Sequence, residues 1–231
     1  MRVLAIDSAT ESCSVALLCG AQLFGRVAEQ GLSHAAQILG MVDSVMAEAE
    51  MSLARLDAIA ASIGPGAFTG VRISVSVAQG LAFGAGLRVV PVTTLEALAF
   101  RAVQSGAAHA LACLDARMGE VYWGCFAAHA GRGVIASSTA RVGPPGSVAL
   151  PGPSAYRGIG RGFAAYPELG SLPGLTLEFE DSQELPDARE FARLGALRLA
   201  LGEGLDPADL SPLYLRNKVA LTEAERQPKG P

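Results

Sequence analysis

Two short strings constrain this chain more than any other feature: VLAID, Val3 to Asp7, and LACLD, Leu111 to Asp115. Each is an apolar run ending in an aspartate, and each is followed by a turn and a second apolar run. A strand-to-aspartate-to-hairpin unit used twice, about a hundred residues apart, reads as an internal duplication with two similar lobes. Around the first unit the period alternates between strand and helix, which marks an α/β layer. Val3 to Ile6, Ser14 to Cys19 and Gln22 to Glu29 form a predicted three-stranded meander. Ala35, Ile38, Leu39, Val42, Val45, Met46 and Ala49 then follow three-four helical spacing, with Ser33 placed to cap.

The pattern continues with a strand at Asp57 to Ile63, a helix at Thr69 to Phe83, a strand at Leu87 to Val92 and a helix at Thr94 to Val103. Thr93 and Glu96 have the spacing of a capping box for that last helix. The second unit continues into a strand at Val121 to Ala127. Between Ala130 and Pro186 glycine and proline dominate, and only scattered strands are expected. Asp187 to Leu201 is a helix with Phe191, Leu194, Leu197 and Leu201 on one face, and the tail from Pro207 reads as extended. The division expected is 1–106 for one lobe and 107–231 for the other, with the helix at 187–204 packing back on the first.

Composition limits the function. Half of the 231 residues are apolar, enough for a large core. The net charge is −4, and no run of Lys and Arg is long enough to track a phosphate backbone, so tight binding of nucleic acid by this chain alone is not expected. The chain starts at once on a strand-like run without the zones of a secretion signal, and its longest charge-free apolar stretch, Ile73 to Leu87, is shorter than the roughly 20 residues of a bilayer span. A cytoplasmic protein with no membrane contact is the expectation. Cys13, Cys19, Cys113 and Cys125 form no C-x-x-C pair and read as buried free thiols.

Two segments could hold an anion. DSATES, Asp7 to Ser12, offers a carboxylate and hydroxyls at a strand end, where α/β sheets open on their ligand crevice; it reads equally as an Asx turn closing a hairpin. GPGAFTGVR, Gly64 to Arg72, joins strand to helix with three glycines and Thr69 near the helix's unpaired amides. It lacks the Lys-Ser or Lys-Thr pair of a P-loop, and a purely structural turn is its other reading. Asp7, Ser8, Thr10, Gly64, Gly66 and Thr69 are therefore the candidate nucleotide-binding residues. GIGRG, Gly158 to Gly162, reads as a turn. Asp115, Arg117 and Glu120 read as a salt-bridged turn rather than acid-base machinery.

Hydrolytic motifs are missing. There is no G-x-S-x-G elbow and no H-E-x-x-H, and four residues after His34 stands Ile38, so a two-histidine helix site cannot form. No metal, cofactor or catalytic residue is expected.

The strings Val3 to Leu17, SIGPGAFTGVR from Ser62 to Arg72, LDARMGEVYWGCF from Leu114 to Phe126 and SPLYLRN from Ser211 to Asn217 resemble the TsaB (YeaZ) family in composition and order. The resemblance implies a duplicated actin-like, ribonuclease-H-like fold of the kind shared by sugar kinases and heat-shock ATPases, and places the chain in the glycoprotease-like superfamily. It implies a non-catalytic paralogue of TsaD, whose His-x-x-x-His metal helix is reduced here to His34 and Ile38. The implied role is to stabilise or switch a TsaD-like catalytic subunit, together with a TsaE-like ATPase, in making threonylcarbamoyladenosine in tRNA. The tRNA would be met only through the complex, and the chain would form a homodimer when alone. An actin-fold ATPase or kinase using Asp7 and Asp115 across the cleft is the alternative; a metallopeptidase is disfavoured by the missing ligands. The helix from Thr69 to Phe83 is apolar or small nearly all round, with Arg72 its sole charge, which predicts burial on two sides. The expected interface comprises His34, Ile38, Val42, Arg72, Ile73, Ser76, Val77, Gly80 and Phe83.

Overall fold

The computed structural model describes residues 1–28, 33–152 and 154–216. Glu29 of the expected third strand, Asn217 of the SPLYLRN string and 217–231 of the expected second lobe lie outside the described residues.

The first half runs β1 (Arg2–Asp7), β2 (Ser14–Cys19), β3 (Gln22–Val27), α1 (His34–Glu48), β4 (Ala58–Ser62), α2 (Phe68–Ala85), β5 (Arg88–Val92) and α3 (Thr94–Gln104). The second runs β6 (His109–Arg117), β7 (Glu120–His129), β8 (Gly133–Ala136), β9 (Arg141–Gly143), β10 (Tyr156–Ile159), α4 (Gly162–Ala165), β11 (Leu175–Thr176), α5 (Phe179–Gln183) and α6 (Ala188–Ala200). The first sheet has the order β3-β2-β1-β4-β5, and the second β8-β7-β6-β10-β11 when read in the same sense, with β9 added on β7. In each, a strand ending in aspartate is antiparallel to the next strand and parallel to a later one: β1 with β2 and β4, β6 with β7 and β10. The five-residue repeat in the sequence is thus a repeat of topology. This strand order, used twice, is the two-lobed ribonuclease-H-like, actin-like α/β fold.

The layers are joined by an exchange of helices. α6, from the second half, packs on β1, β2 and β4, whereas α3, from the first half, packs on β6, β7 and β8. Phe191 and Leu194 of α6 and Leu95 and Leu98 of α3 are fully buried in one core that also contains Val3, Ala60, Ala112 and Ile159 from both sheets. Gly195 is required there, since a Cβ would stand 2.6 Å from the Cβ of Ala60. The Thr93–Glu96 capping box forms in both directions, at 3.2 and 2.9 Å. Arg198 of α6 then donates to Glu96 and to the carbonyl of Pro91 at 2.5 and 2.7 Å, which ties the two central helices together.

Two local expectations need correction. Ser33 occupies the N-cap position of α1, but its side chain makes no capping hydrogen bond. Leu201, expected on the buried face of α6, is 50% exposed because the helix has already ended and the residue serves as its C-cap. The GIGRG string forms the end of β10 and a turn into α4, where a Cβ on Gly160 would meet the carbonyl oxygen of Cys113 at 2.3 Å. Cys13, Cys113 and Cys125 are buried free thiols and Cys19 is half-buried. No described helix is long and apolar enough to cross a membrane.

Candidate functional site

The two anion-binding candidates come together, but against each other. Asp7 closes β1 with Oδ1 accepting from the Ala9 amide at 3.0 Å, which is the Asx turn. Ser8 Oγ donates to the carbonyl of Gly70 at 2.8 Å, Ser74 Oγ donates to that of Ile6 at 2.8 Å, and the Ala67 amide donates to Ala9 at 2.7 Å. A Cβ on Gly66 would lie 2.0 Å from the oxygen of Ala9, and one on Gly70 1.9 Å from that of Ser8. The close backbone approach that these glycines permit is therefore used by the chain's own first turn.

Asp7 is fully buried, and neither its Oδ2 nor the Ser62 hydroxyl has a well-formed hydrogen bond. Burial pushes the carboxyl up to about 7 from an ordinary 3.8, against the opposing pull of the Ala9 amide and the nearby Ser62 hydroxyl.

The cleft between the lobes encloses a cavity of about 380 Å³. Of the six candidate nucleotide residues only Thr10 and Gly66 border it; Asp7, Ser8, Gly64 and Thr69 do not. The second lobe contributes Asp115 and Arg117, so the pair Asp7 and Asp115 does not face across the cleft: Asp7 is sealed beneath its own turn. The cationic groups of the lining are matched internally. Arg161 reaches Glu11 at 2.9 Å across the lobes, Arg117 pairs with Asp115 at 3.0 Å, and Arg216 pairs with Glu120. Glu120 was expected to share the hairpin salt bridge; instead Arg216, distant in sequence, takes it. Among the described residues no group of three or more His, Cys, Asp or Glu is placed to hold a metal.

A second surface lies on the far side of the first sheet. Val71, Ser74, Val75, Ala78 and Ala82 of α2 are buried by their own sheet and neighbours. The opposite face is open: Arg72, Ser76 and Gly80 are exposed, Ile73 and Val77 half-buried, and Phe83 is 83% exposed. Cβ atoms built on Gly80 and Gly84 would meet nothing within 4 Å. A shallow groove of about 420 Å³ runs between this face and α1, bordered by Leu39, Phe68, Arg72 and Val77. Val42, placed in the expected interface, is instead buried in the chain's own core because its turn of α1 faces the first sheet; Ile38 is buried in the same core but also borders the groove, and His34 is half-buried at the helix start. Leu39, one step round the helix, is the exposed apolar residue. Helical periodicity does not single out Phe68 or Tyr214, which stand in the GPGAFTGVR and SPLYLRN strings.

A family model described as "TsaD: tRNA N6-adenosine threonylcarbamoyltransferase" matches residues 28–139. Over 226 residues the chain is 38% identical to the "tRNA threonylcarbamoyladenosine biosynthesis protein TsaB" of Escherichia coli K12, covering 95% of this chain and 96% of that protein. The chain belongs to the TsaB family. The Haemophilus influenzae TsaB is 33% identical over 233 residues, covering 95% of both chains. The solved "YeaZ from Pseudomonas aeruginosa" superposes with a TM-score of 0.84 at 38% identity, covering 93% of this chain and 99% of that one. The strings that resemble the TsaB family form the interlocked turn and glycine loop, the β6–β7 hairpin and the C-terminal segment to Arg216.

Proposed function

We propose that this chain is a non-catalytic subunit in the synthesis of tRNA threonylcarbamoyladenosine, docking through the α1–α2 face onto a TsaD-like catalytic subunit and forming a homodimer when that subunit is absent. A TsaE-like ATPase joins the same cytoplasmic complex, and tRNA is met only there. The observation that carries the reading is the outward face of α2, apolar or small, with one charge at its start and Phe83 almost fully in solvent, in a chain of the TsaB family. Contiguous exposed apolar surface of this kind favours a protein partner, and Ser76, Gly80 and Gly84 let another helix approach closely. The TsaD-like partner is favoured as occupant because a TsaD family model matches the stretch of this chain that contains α1 and α2. A protein of the same fold carries an equivalent helix pair, and two such pairs can form a quasi-symmetric four-helix contact.

The alternative, an actin-fold ATPase or kinase, has the 380 Å³ cleft in its favour. It requires a carboxylate pair across that cleft, and Asp7 is turned into its own Asx turn instead.

Ser76→Glu tests the docking. Ser76 is exposed, so the lobe should stay folded, while an unpaired carboxylate in a packed helix interface costs several kcal/mol. Loss of co-elution with the TsaD-like protein is expected; co-elution at wild-type affinity places the docking surface elsewhere. Depleting the protein in its own cell should lower threonylcarbamoyladenosine in tRNA, and unchanged nucleoside levels by mass spectrometry would remove the pathway assignment.

A further inference from the structure

After Leu205, which bridges to Val89 beside the first sheet, the chain runs back along α2. Gln79 donates to the carbonyls of Pro207 and Leu210 at 2.9 and 3.0 Å, and Leu210 is buried against the first lobe. The Leu213 amide donates to Ile63 at the end of β4, at 2.8 Å. From there the chain crosses the cleft. Arg216 donates to the Ala116 carbonyl at 3.2 Å and pairs with Glu120, both on the β6–β7 hairpin of the other lobe. The segment is a strap, fixed to one lobe at Leu213 and to the other at Arg216.

Between these anchors stands Tyr214. Its hydroxyl accepts from Arg72 Nε at 2.9 Å, and its ring lies 5.8 Å from that of Phe68. The Arg72 guanidinium lies 3.7 Å from the centre of the Phe68 ring. Phe68 borders both the cleft and the α1–α2 groove, Tyr214 borders the cleft, and Arg72 borders the groove. Arg72 is also the only charged residue of α2. One three-residue cluster therefore belongs to both surfaces.

We propose that the strap Ser211–Arg216 couples the interlobe cleft to the α1–α2 face, with Tyr214 as the latch. With the strap seated, Arg72 is held over the Phe68 ring by the Tyr214 hydroxyl at the rim of the groove. When the strap leaves, through a ligand entering the cleft or a shift of the β6–β7 hairpin, Arg72 regains its rotamers and the rim loses its shape. Because coupling is reciprocal, filling the groove also favours the seated strap. Ordering a long side chain before a partner arrives lowers the entropic cost of association, so the seated strap is the state with higher affinity. The role assigned to the groove rests on the docking reading above; the link between strap and Arg72 does not.

Amide hydrogen exchange on the full chain, alone and dilute, tests that link. The Leu213 amide in Arg72→Ala and in Tyr214→Phe should exchange about three- to tenfold faster than in the wild type, the amount expected for losing one charge-assisted hydrogen bond at a partly exposed site. The amides of β4 should keep their rates, which separates strap release from general unfolding. An unchanged Leu213 rate in Arg72→Ala overturns the proposal whatever docks on the groove. Where the docking holds, Tyr214→Phe should weaken association about two- to tenfold, with no further loss when added to Arg72→Ala. Wild-type affinity in Tyr214→Phe despite faster Leu213 exchange would also overturn it. Failure of the docking reading has a different signature, an unaffected Ser76→Glu, and in that event the exchange measurement decides the strap by itself.

Discussion

Replacing Asp7 by Asn should make the protein more stable at alkaline pH and leave it nearly unchanged in acid. The carboxyl is wholly buried, one oxygen has no well-formed hydrogen bond, and burial raises it from 3.8 to about 7 against the weaker pull of the Ala9 amide and the Ser62 hydroxyl. Below about pH 4 the group is protonated in both the folded and the unfolded chain, so its contribution to stability is fully present. As pH rises the unfolded chain ionises first while the folded chain keeps its proton, and stability falls until pH passes through about 7. The whole difference is worth about 4 kcal/mol, a large share of the 5–15 kcal/mol of a typical domain. Asn keeps the Oδ1 acceptor for the Ala9 amide, can offer Nδ2 to the Ser62 hydroxyl, and does not ionise. Urea denaturation of both proteins from about pH 4.5 to 8.5 should give curves that diverge with pH, with the variant ahead by about 3–4 kcal/mol at the alkaline end. Glu190, also raised by burial, affects both proteins alike and drops out of the difference. Curves that stay parallel across the range would mean that Asp7 is solvated or paired, and the sealed-turn description would fail.

Other expectations follow from the same geometry. Gly66→Ala puts a methyl 2.0 Å from the Ala9 carbonyl oxygen, and because both sides are backbone the cost should be about 3 kcal/mol or more, seen as a lowered thermal midpoint; wild-type stability would show that the loop can move away from the turn. Phe191→Ala empties a site in the core shared by both sheets and should cost about 3–5 kcal/mol, with the two lobes still unfolding in one transition; a split transition would mean that the central helices do not unite them. The purified chain should not turn over ATP above a mock preparation, since the cleft's charges are internally paired and Asp7 does not reach it; turnover abolished by Asp7→Ala would favour the enzyme reading.

Much of the architecture is local, and local features are written in order along the chain. The three-four spacing of Ile38, Val42 and Val45, the capping box of Thr93 and Glu96, and the repeat of VLAID as LACLD each depend on neighbours a few residues away, so they specified the helices and the duplicated strand units without any knowledge of packing. The apolar or small character of α2, with Arg72 its sole charge, was likewise legible in the sequence, whereas which face its own sheet covers and which stays open was decided by packing.

What the tertiary structure alone decided concerns partners distant in sequence. A glycine states that a Cβ is excluded but not by what, and for Gly66 and Gly70 the excluding atoms are the carbonyls of Ala9 and Ser8. A carboxylate at a strand end is equally suited to a ligand or to a turn; Asp7 takes the turn because α2 is held down on it through Ser8 and Ser74. Glu120 pairs with Arg216 and α6 crosses to the first sheet for a common reason: burial and charge pairing are settled by three-dimensional proximity, and a periodic pattern tells which face of an element is covered but never which element covers it.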